Sequence, residues 1–210
     1  MLSKLLLAAS TFAALALAPA PQSASATEAK PPASGRYDVD NLHSAVMFKV
    51  RHLGTSNAYG RFNQVKGTLL LDGADWAAAV LNLTIDAASI DTNDETGVDE
   101  AAKDARDKHL RNADFFNVEE FPTIKFESTK VVDKGGGKVE LTGDLTLHGV
   151  TRSVTATGEY IGTNSGPQFG TVVGFEAKFT LDRRDFGMNY ALEVLGTEVT
   201  VLVSIEARKR

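Results

Sequence analysis

The chain has 210 residues, of which 43% are hydrophobic and 23% charged, and its formal net charge is −5. This length fits one domain, and the composition excludes a disordered chain, a collagen-like fibre and a polytopic membrane protein. Cysteine is absent, which excludes disulfides, thiolate metal sites and cysteine nucleophiles, and the acidic balance argues against nucleic acid as a main partner.

Residues 1–26 have the pattern of a secretory signal peptide. Lys4 is the only charge, residues 5–18 form a mostly apolar run that ends before Pro19, and Ala24-Ser25-Ala26 fits a small-x-small cleavage site. A membrane anchor is the alternative, but it needs a longer apolar run than this one. We therefore expect a signal peptide at 1–26, a linker at 27–35 and one folded domain at 36–210, exported to the periplasm.

Most of the remaining chain alternates apolar and polar residues with a period of two, which is typical of half-buried β-strands. The alternating apolar sets, in chain order, are Val46, Phe48 and Val50; Leu81, Leu83 and Ile85; Ile124 and Phe126; Val139, Leu141, Gly143, Leu145 and Leu147; Phe175, Ala177, Phe179 and Leu181; and Val199, Val201, Val203 and Ile205. Turn signals separate these sets, among them Asp72-Gly73 and His148-Gly149. The pattern predicts eight to ten strands in antiparallel hairpins, closed into a barrel or packed as a sandwich. A barrel of this size is filled by its own side chains or holds one small ligand, and the sequence leaves both open.

Residues 92–112 break this rhythm because they are polar and rich in alanine and charged side chains. A weak helical stripe predicts a loop followed by a helix over residues 98–111. Asp114-Phe115-Phe116 follows the helix and is expected to form an apolar plug near its end. Trp76 is likewise expected in the core.

The familiar sequence motifs of hydrolases, phosphate-binding loops and zinc proteases are absent. The four histidines, His43, His52, His109 and His148, do not stand at metal-ligand spacings on one element, so no metal is expected.

Four residues are candidates for a polar anchor at the mouth of an apolar cavity. His52 continues the inward face of Phe48 and Val50, which suits either a hydrogen-bonded core histidine or such an anchor. Asp107 and Arg111 are spaced to pair on one helix face, and with His109 they form either a solvated helix end or a headgroup contact. Residues 182–185, Asp-Arg-Arg-Asp, are interpreted as a self-paired surface turn.

A series of short motifs spans almost the whole mature chain. In order, they are Tyr37-Asp38-Val39-Asp40, His43-Ser44, Phe48-Lys49-Val50-Arg51-His52-Leu53-Gly54, Gly60-Arg61-Phe62, Ser89-Ile90-Asp91-Thr92, Arg106-Asp107-Lys108-His109-Leu110-Arg111, Asp114-Phe115-Phe116-Asn117-Val118, Phe121-Pro122-Thr123-Ile124-Lys125-Phe126-Glu127-Ser128, Gly143-Asp144-Leu145-Thr146-Leu147-His148-Gly149-Val150-Thr151 and Arg184-Asp185-Phe186-Gly187-Met188. Together they resemble the YceI-like family of bacterial polyisoprenoid-binding proteins. One departure is the segment 97–104, which lengthens the loop before the Arg106-Asp107 motif and leaves the start of the helix open.

The resemblance implies an all-β fold, an eight-stranded antiparallel lipocalin-like barrel with one short α-helix near one end. It also implies an apolar lumen for a long isoprenoid or a similar amphiphile. The family is exported, its members often lie near b-type cytochromes, and some bind fatty amides or lipophilic antibiotics. We carry over no catalytic residue. The residues expected to line the lumen are Val46, Phe48, Val50, His52, Phe62, Leu81, Leu83, Ile85, Leu110, Phe115, Phe116, Phe126, Phe179, Phe186 and Met188. The polar anchor candidates are His52, Asp107, His109 and Arg111.

The expected function is to hold an isoprenoid, with quinones among the candidates, for transport, storage or stress protection. No cofactor is expected beyond this bound lipid, and a b-type cytochrome or an inner-membrane protein is a candidate partner of the monomer or homodimer. Two alternatives share the fold: an enzyme that modifies a lipid with histidine and aspartate at the barrel mouth, and a sequestering protein for fatty acids, amides or lipophilic antibiotics.

Overall fold

A computed structural model of the protein describes residues 32–73, 75–94 and 104–210. The predicted signal peptide, most of the predicted linker and the first residues of the predicted helix lie outside these ranges. No helix in the described part of the chain is both long and apolar enough to cross a membrane.

Within the described ranges the chain forms eleven strands and one α-helix. The strands are β1 (Gly35–Val39), β2 (Ala45–His52), β3 (Ser56–Phe62), β4 (Val65–Asp72), β5 (Asp75–Asp86), β6 (Ile90–Asp91), β7 (Thr123–Gly135), β8 (Lys138–Leu147), β9 (Val150–Gly166), β10 (Gly170–Asp182) and β11 (Leu195–Lys209). The helix α1 covers Ala105–Arg111, and two 3₁₀ turns cover Ala87–Ser89 and Arg183–Phe186.

The sheet closes into a ring because β1 pairs with β4 on one side and with β11 on the other. The ring contains eight strands in the order β1, β4, β5, β7, β8, β9, β10 and β11. Beyond β1, the same edge of β11 pairs with β2, and β3 and β6 follow. All these pairings are antiparallel, so the prediction of a closed eight-stranded antiparallel barrel with one short helix is confirmed.

The barrel has two unlike ends. At the strand-closed end, where β1 completes the ring, Tyr37, Val173 and Ala207 are almost fully buried. The Tyr37 hydroxyl donates a 2.7 Å hydrogen bond to the carbonyl of Ala33, which satisfies its polar atom.

Three aromatic rings fill the lumen next to this end. Trp76 lies 5.1 Å from Tyr160 and 5.9 Å from Phe175 between ring centroids, and the last two rings are 5.3 Å apart. These tilted and edge-on contacts are the favoured geometries of aromatic pairs. The position of Trp76 agrees with the prediction of a core residue.

The opposite end, which we call the helical end, carries α1, β2, β3 and β6. Asp107 is only 6% exposed, and its carboxylate accepts hydrogen bonds from the backbone N–H and the hydroxyl of Thr92. Arg111 donates to the carbonyls of Ala88 and Ile90 at 2.8 and 2.7 Å. The two side chains therefore fasten α1 to β6 and the preceding turn. Their i, i+4 spacing had suggested that Asp107 and Arg111 pair with each other, but each has separate partners.

Candidate functional site

The helical half of the barrel encloses a cavity of about 160 Å³. Side chains from β2, β3, β5 and β7 to β11 contribute to its wall, together with α1 and the segment after it. The lining residues are Val46, Phe48, Val50, Phe62, Leu81, Leu83, Ile85, Leu110, Phe115, Phe116, Ile124, Phe126, Leu141, Leu145, Leu147, Ala156, Ala177, Phe179, Leu181, Arg183, Met188, Leu195, Val199, Val201 and Val203. In the described part of the chain, Arg183 is the only polar residue of this wall.

The apolar wall results from strand register. Val46, Phe48 and Val50 of β2 stand opposite Val203, Val201 and Val199 of β11, so all six side chains point to the same side of the sheet. A smaller cavity of about 70 Å³ continues toward the strand-closed end and shares Leu81, Leu141, Ala177 and Val203 with the first. The lumen thus holds two neighbouring apolar cavities, and Trp76 and Phe175 border the smaller one.

Two glycines allow phenylalanine rings to lie against the neighbouring strand. Gly60 stands opposite Phe48, and a Cβ at Gly60 would overlap the Phe48 ring. A Cβ at Gly143 would likewise overlap the ring of Phe126. These glycines keep both rings flat against the wall and so leave the middle of the lumen free.

The segment after α1 closes the helical end with two aromatic rings. Phe116 lies 5.4 Å from Phe62 and 6.4 Å from Phe48 between ring centroids. Phe115 is buried and lies 5.1 Å from the ring of His109 and 5.2 Å from Tyr190. The two rings therefore lie between the cavity and the exposed Tyr190, as expected of an apolar plug.

Of the residues predicted to line the lumen, all but His52 and Phe186 border the cavity. The prediction for His52 is wrong because of the register of its partner strand. Between Val50 and His52 β2 advances two residues, while β11 advances four, from Val199 to Leu195. His52 is the last residue of β2, and its partner across this irregularity, Leu195, borders the cavity while His52 does not.

Phe186 is almost fully buried, but it lies in a 3₁₀ turn and packs in the core rather than at the cavity. Its carbonyl lies 3.0 Å from Nδ1 of His148. The prediction of a lumen position for Phe186 is therefore wrong, because the end of β10 changes the direction of the following side chains.

The other polar anchor candidates have separate partners and do not border the cavity. Asp107 and Arg111 hold α1 in place, and Nε2 of His109 lies 2.8 Å from a carboxylate oxygen of Asp114. The four candidates therefore do not converge on one point of the lumen.

The sequence interpretation missed Arg183. The prediction of a self-paired surface turn at 182–185 holds for Asp182 and Arg184, which form an exposed ion pair. Hydrogen bonding from Arg184 lowers the pKa of the Asp182 carboxyl to about 2. Arg183 instead is 4% exposed and belongs to the cavity wall. The sequence did contain a signal for this position, because residue 183 continues the two-residue alternation that places Phe179 and Leu181 on the inward face of β10.

One further polar cluster lies away from the cavity. The side chains of Asp40, His43 and Glu206 bring three potential ligand atoms within 4.8 Å of one another. Arg208 also donates to Asp40 at 3.2 Å, and hydrogen bonding from His43 lowers the pKa of the Asp40 carboxyl. The cluster is thus held together as an ion-pair network that joins β11 to the segment after β1.

Fold and cavity together define a closed antiparallel barrel with an apolar interior. The YceI-like domain model matches residues 37–207, nearly the whole barrel. The chain belongs to the YceI-like family, as the resemblance predicted.

Relatives with similar sequences agree with this assignment. A UPF0312 protein of Pseudomonas aeruginosa is 39% identical over 196 residues, covering 93% of this chain and 96% of the relative. Protein YceI of Escherichia coli O157:H7 is 39% identical over 171 residues, covering 81% and 84%.

Among solved structures, Burkholderia cenocepacia BcnA is similar with a TM-score of 0.68 at 22% identity, covering 80% of this chain and 98% of that one. A polyisoprenoid binding domain from Saccharophagus degradans, implicated in plant cell wall breakdown, has a TM-score of 0.61 at 15% identity, covering 83% and 98%. At these identities the two structures support the fold alone.

Proposed function

We propose that the protein binds a long isoprenoid or a similar amphiphilic lipid inside the barrel. The observation that carries the proposal is the apolar lumen, whose larger cavity is lined by hydrocarbon and aromatic side chains apart from Arg183 among the described residues. Such a wall offers no hydrogen bonds to a polar ligand but matches an alkyl or prenyl chain. The name of the Saccharophagus degradans domain supports the same ligand class.

Area arithmetic agrees with a lipid tail as ligand. Burial of apolar surface yields about 25 cal/mol per Å², so a tail of several hundred Å² gains roughly 5–10 kcal/mol before the costs of ordering. This gain needs no reacting group, because binding makes and breaks no covalent bond. We therefore propose a carrier or store for a lipid, and quinones belong to the candidate ligands.

The proposed location is the periplasm. The signal-like pattern of residues 1–26 supports it, since a chain exported in this way meets lipids that must cross an aqueous compartment.

Native mass spectrometry of gently purified protein tests the proposal. We expect a fraction of the molecules to carry an added lipid mass, and the delipidated protein to take up a prenyl lipid in one-to-one ratio. A clean unliganded mass together with no uptake of geranylgeraniol contradicts the proposal. Competition between geranylgeraniol and a lipophilic antibiotic then shows whether the lumen prefers lipids.

A further inference from the structure

Four exposed apolar side chains lie together on the outer surface of the helical end. Leu53, in the turn between β2 and β3, is 58% exposed, and Tyr190, Leu192 and Val194, in the segment before β11, are 44%, 43% and 39% exposed. The backbone N–H of Leu53 donates a 2.7 Å hydrogen bond to the carbonyl of Val194, so the two segments are in contact. We call these four residues the apolar rim. Exposed apolar residues are ordinary where they are scattered, but a cluster marks an interaction surface.

Neither burial nor backbone conformation favours a leucine at position 53. Leu53 and Gly54 have φ of 51° and 68°, and the N–H of Thr55 donates to the carbonyl of His52, which defines a tight hairpin turn. Positive φ at both central residues of such a turn favours asparagine, aspartate and glycine. A contact with another surface would account for an exposed leucine at this position.

Arg183 holds the segment that carries most of the rim. Its guanidinium makes four hydrogen bonds, and all of them are to backbone carbonyls of residues 188–196. Nε donates to Gly196 at 2.9 Å, Nη1 donates to Met188 and Tyr190 at 2.9 and 2.8 Å, and Nη2 donates to Leu195 at 3.1 Å. Hydrogen bonds from a charged donor are stronger than those between neutral groups. The rim is therefore fixed from inside the barrel and presents its side chains without having to fold first.

The rim is connected to the lumen by aromatic rings. The Tyr190 ring lies 5.2 Å from the Phe115 ring between centroids, and Phe115 borders the larger cavity. Tyr190 also lies 5.3 Å from the ring of His109 on α1. Apolar groups therefore follow one another from the outer surface to the cavity at this end of the barrel.

The charges beside the rim favour an apolar occupant over an ionic one. Glu193 is the only charged residue between positions 188 and 195, and it is exposed. The exposed Arg51 lies beside Gly196, since its Cβ would be 3.2 Å from a Cβ at that glycine. These two charges have opposite signs and give no strong field of either sign. A tyrosine among aliphatic side chains is typical of the boundary between a bilayer and water.

We propose that the apolar rim docks on the surface of a lipid bilayer, so that the ligand moves between bilayer and lumen past the plug of Phe115 and Phe116 without crossing water. The inference rests on the proposed function and goes beyond it, since it names the surface that supplies or receives the lipid. Insertion of the rim removes its apolar side chains from water and brings the bilayer next to the plug. A second copy of the chain is the other surface that could cover the rim, and the experiment distinguishes the two.

The experiment compares two sources of one ligand, geranylgeraniol in phosphatidylcholine vesicles and geranylgeraniol as a soluble cyclodextrin complex. It uses residues 27–210, which contain every described strand and helix, because the apolar run at residues 5–18 would itself bind vesicles. Native mass spectrometry of the delipidated protein, separated from its lipid source at successive times, gives the rate of uptake. We expect the wild type to take up lipid from both sources.

Variants assign uptake from vesicles to the rim. The double variant Leu53→Asn/Leu192→Asn changes only exposed positions, and asparagine suits the turn at residue 53 better than leucine. We expect its uptake from vesicles to slow at least about tenfold, because the rim loses apolar area that docking would bury, while its uptake from cyclodextrin stays at the wild-type rate. Ile161→Asn is the matched control, because Ile161 is similarly exposed at 55% but lies beside Tyr160 at the strand-closed end, and both rates should stay unchanged.

Equal uptake from vesicles by the wild type and the double variant overturns the inference, and so does an equal loss in Ile161→Asn. A wild-type dimer in solution that the double variant dissociates, with uptake from vesicles unchanged, assigns the rim to a contact between copies and also overturns it. Uptake by the wild type from cyclodextrin but not from vesicles contradicts the inference and leaves the proposed function intact. If the wild type takes up lipid from neither source, the proposed function fails together with the inference.

Discussion

Trp76 and Phe48 both face the lumen, but Trp76 packs against other rings whereas Phe48 lies against a glycine. At the strand-closed end, Trp76 contacts Tyr160 and Phe175 and leaves a space of about 70 Å³. At the helical end, Phe48 lies flat over Gly60 and borders a space of about 160 Å³. The strands of both halves alternate in the same way, so alternation determines which side chains point inward and does not determine how well they fill the interior.

The filling depends on ring contacts between strands that are distant in sequence. At the strand-closed end, the rings of Trp76, Tyr160 and Phe175 contact one another and fill the lumen. At the helical end, Gly60 and Gly143 leave space for two phenylalanine rings to lie against the wall. One half thus stabilises the barrel, and the other keeps the room in which we propose that a lipid binds.

The largest expected effect follows from placing a charge at the cavity end. Phe48→Arg puts an unpaired cation in an apolar wall, so we expect it to abolish lipid uptake and to destabilise the barrel by several kcal/mol. Met47→Arg, at the outward neighbouring position of the same strand, is the control and should leave both quantities near wild type. Urea unfolding and uptake of geranylgeraniol measure them. Normal uptake by Phe48→Arg contradicts the assignment of the inward face.

The second effect concerns the packed end. Trp76→Ala removes a ring that contacts others, and we expect it to lower the free energy of unfolding by about 3–5 kcal/mol. Phe126→Ala at the cavity end should cost less, since one side of its ring already borders empty space. The affinity of folded Trp76→Ala for lipid should stay within a few-fold of wild type. Equal losses of stability in the two variants would show that the halves are packed alike.

A smaller effect is expected from filling the place of a glycine. Gly60→Ala forces the Phe48 ring off the wall and into the lumen, which should cost about 1–3 kcal/mol and weaken lipid binding. Gly162→Ala is the matched control in β9, because no atom lies within 4 Å of the added Cβ. We expect its change in unfolding free energy to stay within about 0.5 kcal/mol. Unchanged binding in Gly60→Ala would mean that ring position does not set the cavity.

The smallest effect is electrostatic and lies outside the lumen. Hydrogen bonding from Arg184 lowers the pKa of Asp182 to about 2, below its value in the unfolded chain. A depressed folded-state pKa contributes stability above about pH 4 that is lost as the pH falls toward 2. Asp182→Asn should reduce this acid sensitivity by at most about 1 kcal/mol, since the pair is largely exposed. Urea midpoints at pH 5 and pH 2.5 measure it, and identical pH dependence in variant and wild type contradicts the assignment.

The sequence was sufficient for the strands and for most of the wall, because a period of two directly reports which face is buried. It failed at His52 because His52 ends β2, where the pairing with β11 becomes irregular, and that pairing involves residues far away in sequence. It failed at Arg183 because a run of four charged residues resembles a solvated turn, although the inward period of β10 continues into it. Whether the lumen is filled or open was beyond the sequence, since that depends on ring geometry between distant strands.

The pairing of β1 with β11 constrains the order in which the barrel folds. Tyr37 and Lys209 are partners in one strand pair, and Arg210 binds Asp38 across a separation of 172 residues. Local hairpins such as the one formed by β7 and β8 can form as soon as their residues are available. The ring itself cannot close before the last strand has been made. The enclosed lumen therefore forms only in the final step of folding, and a ligand can be held inside the barrel only after that step.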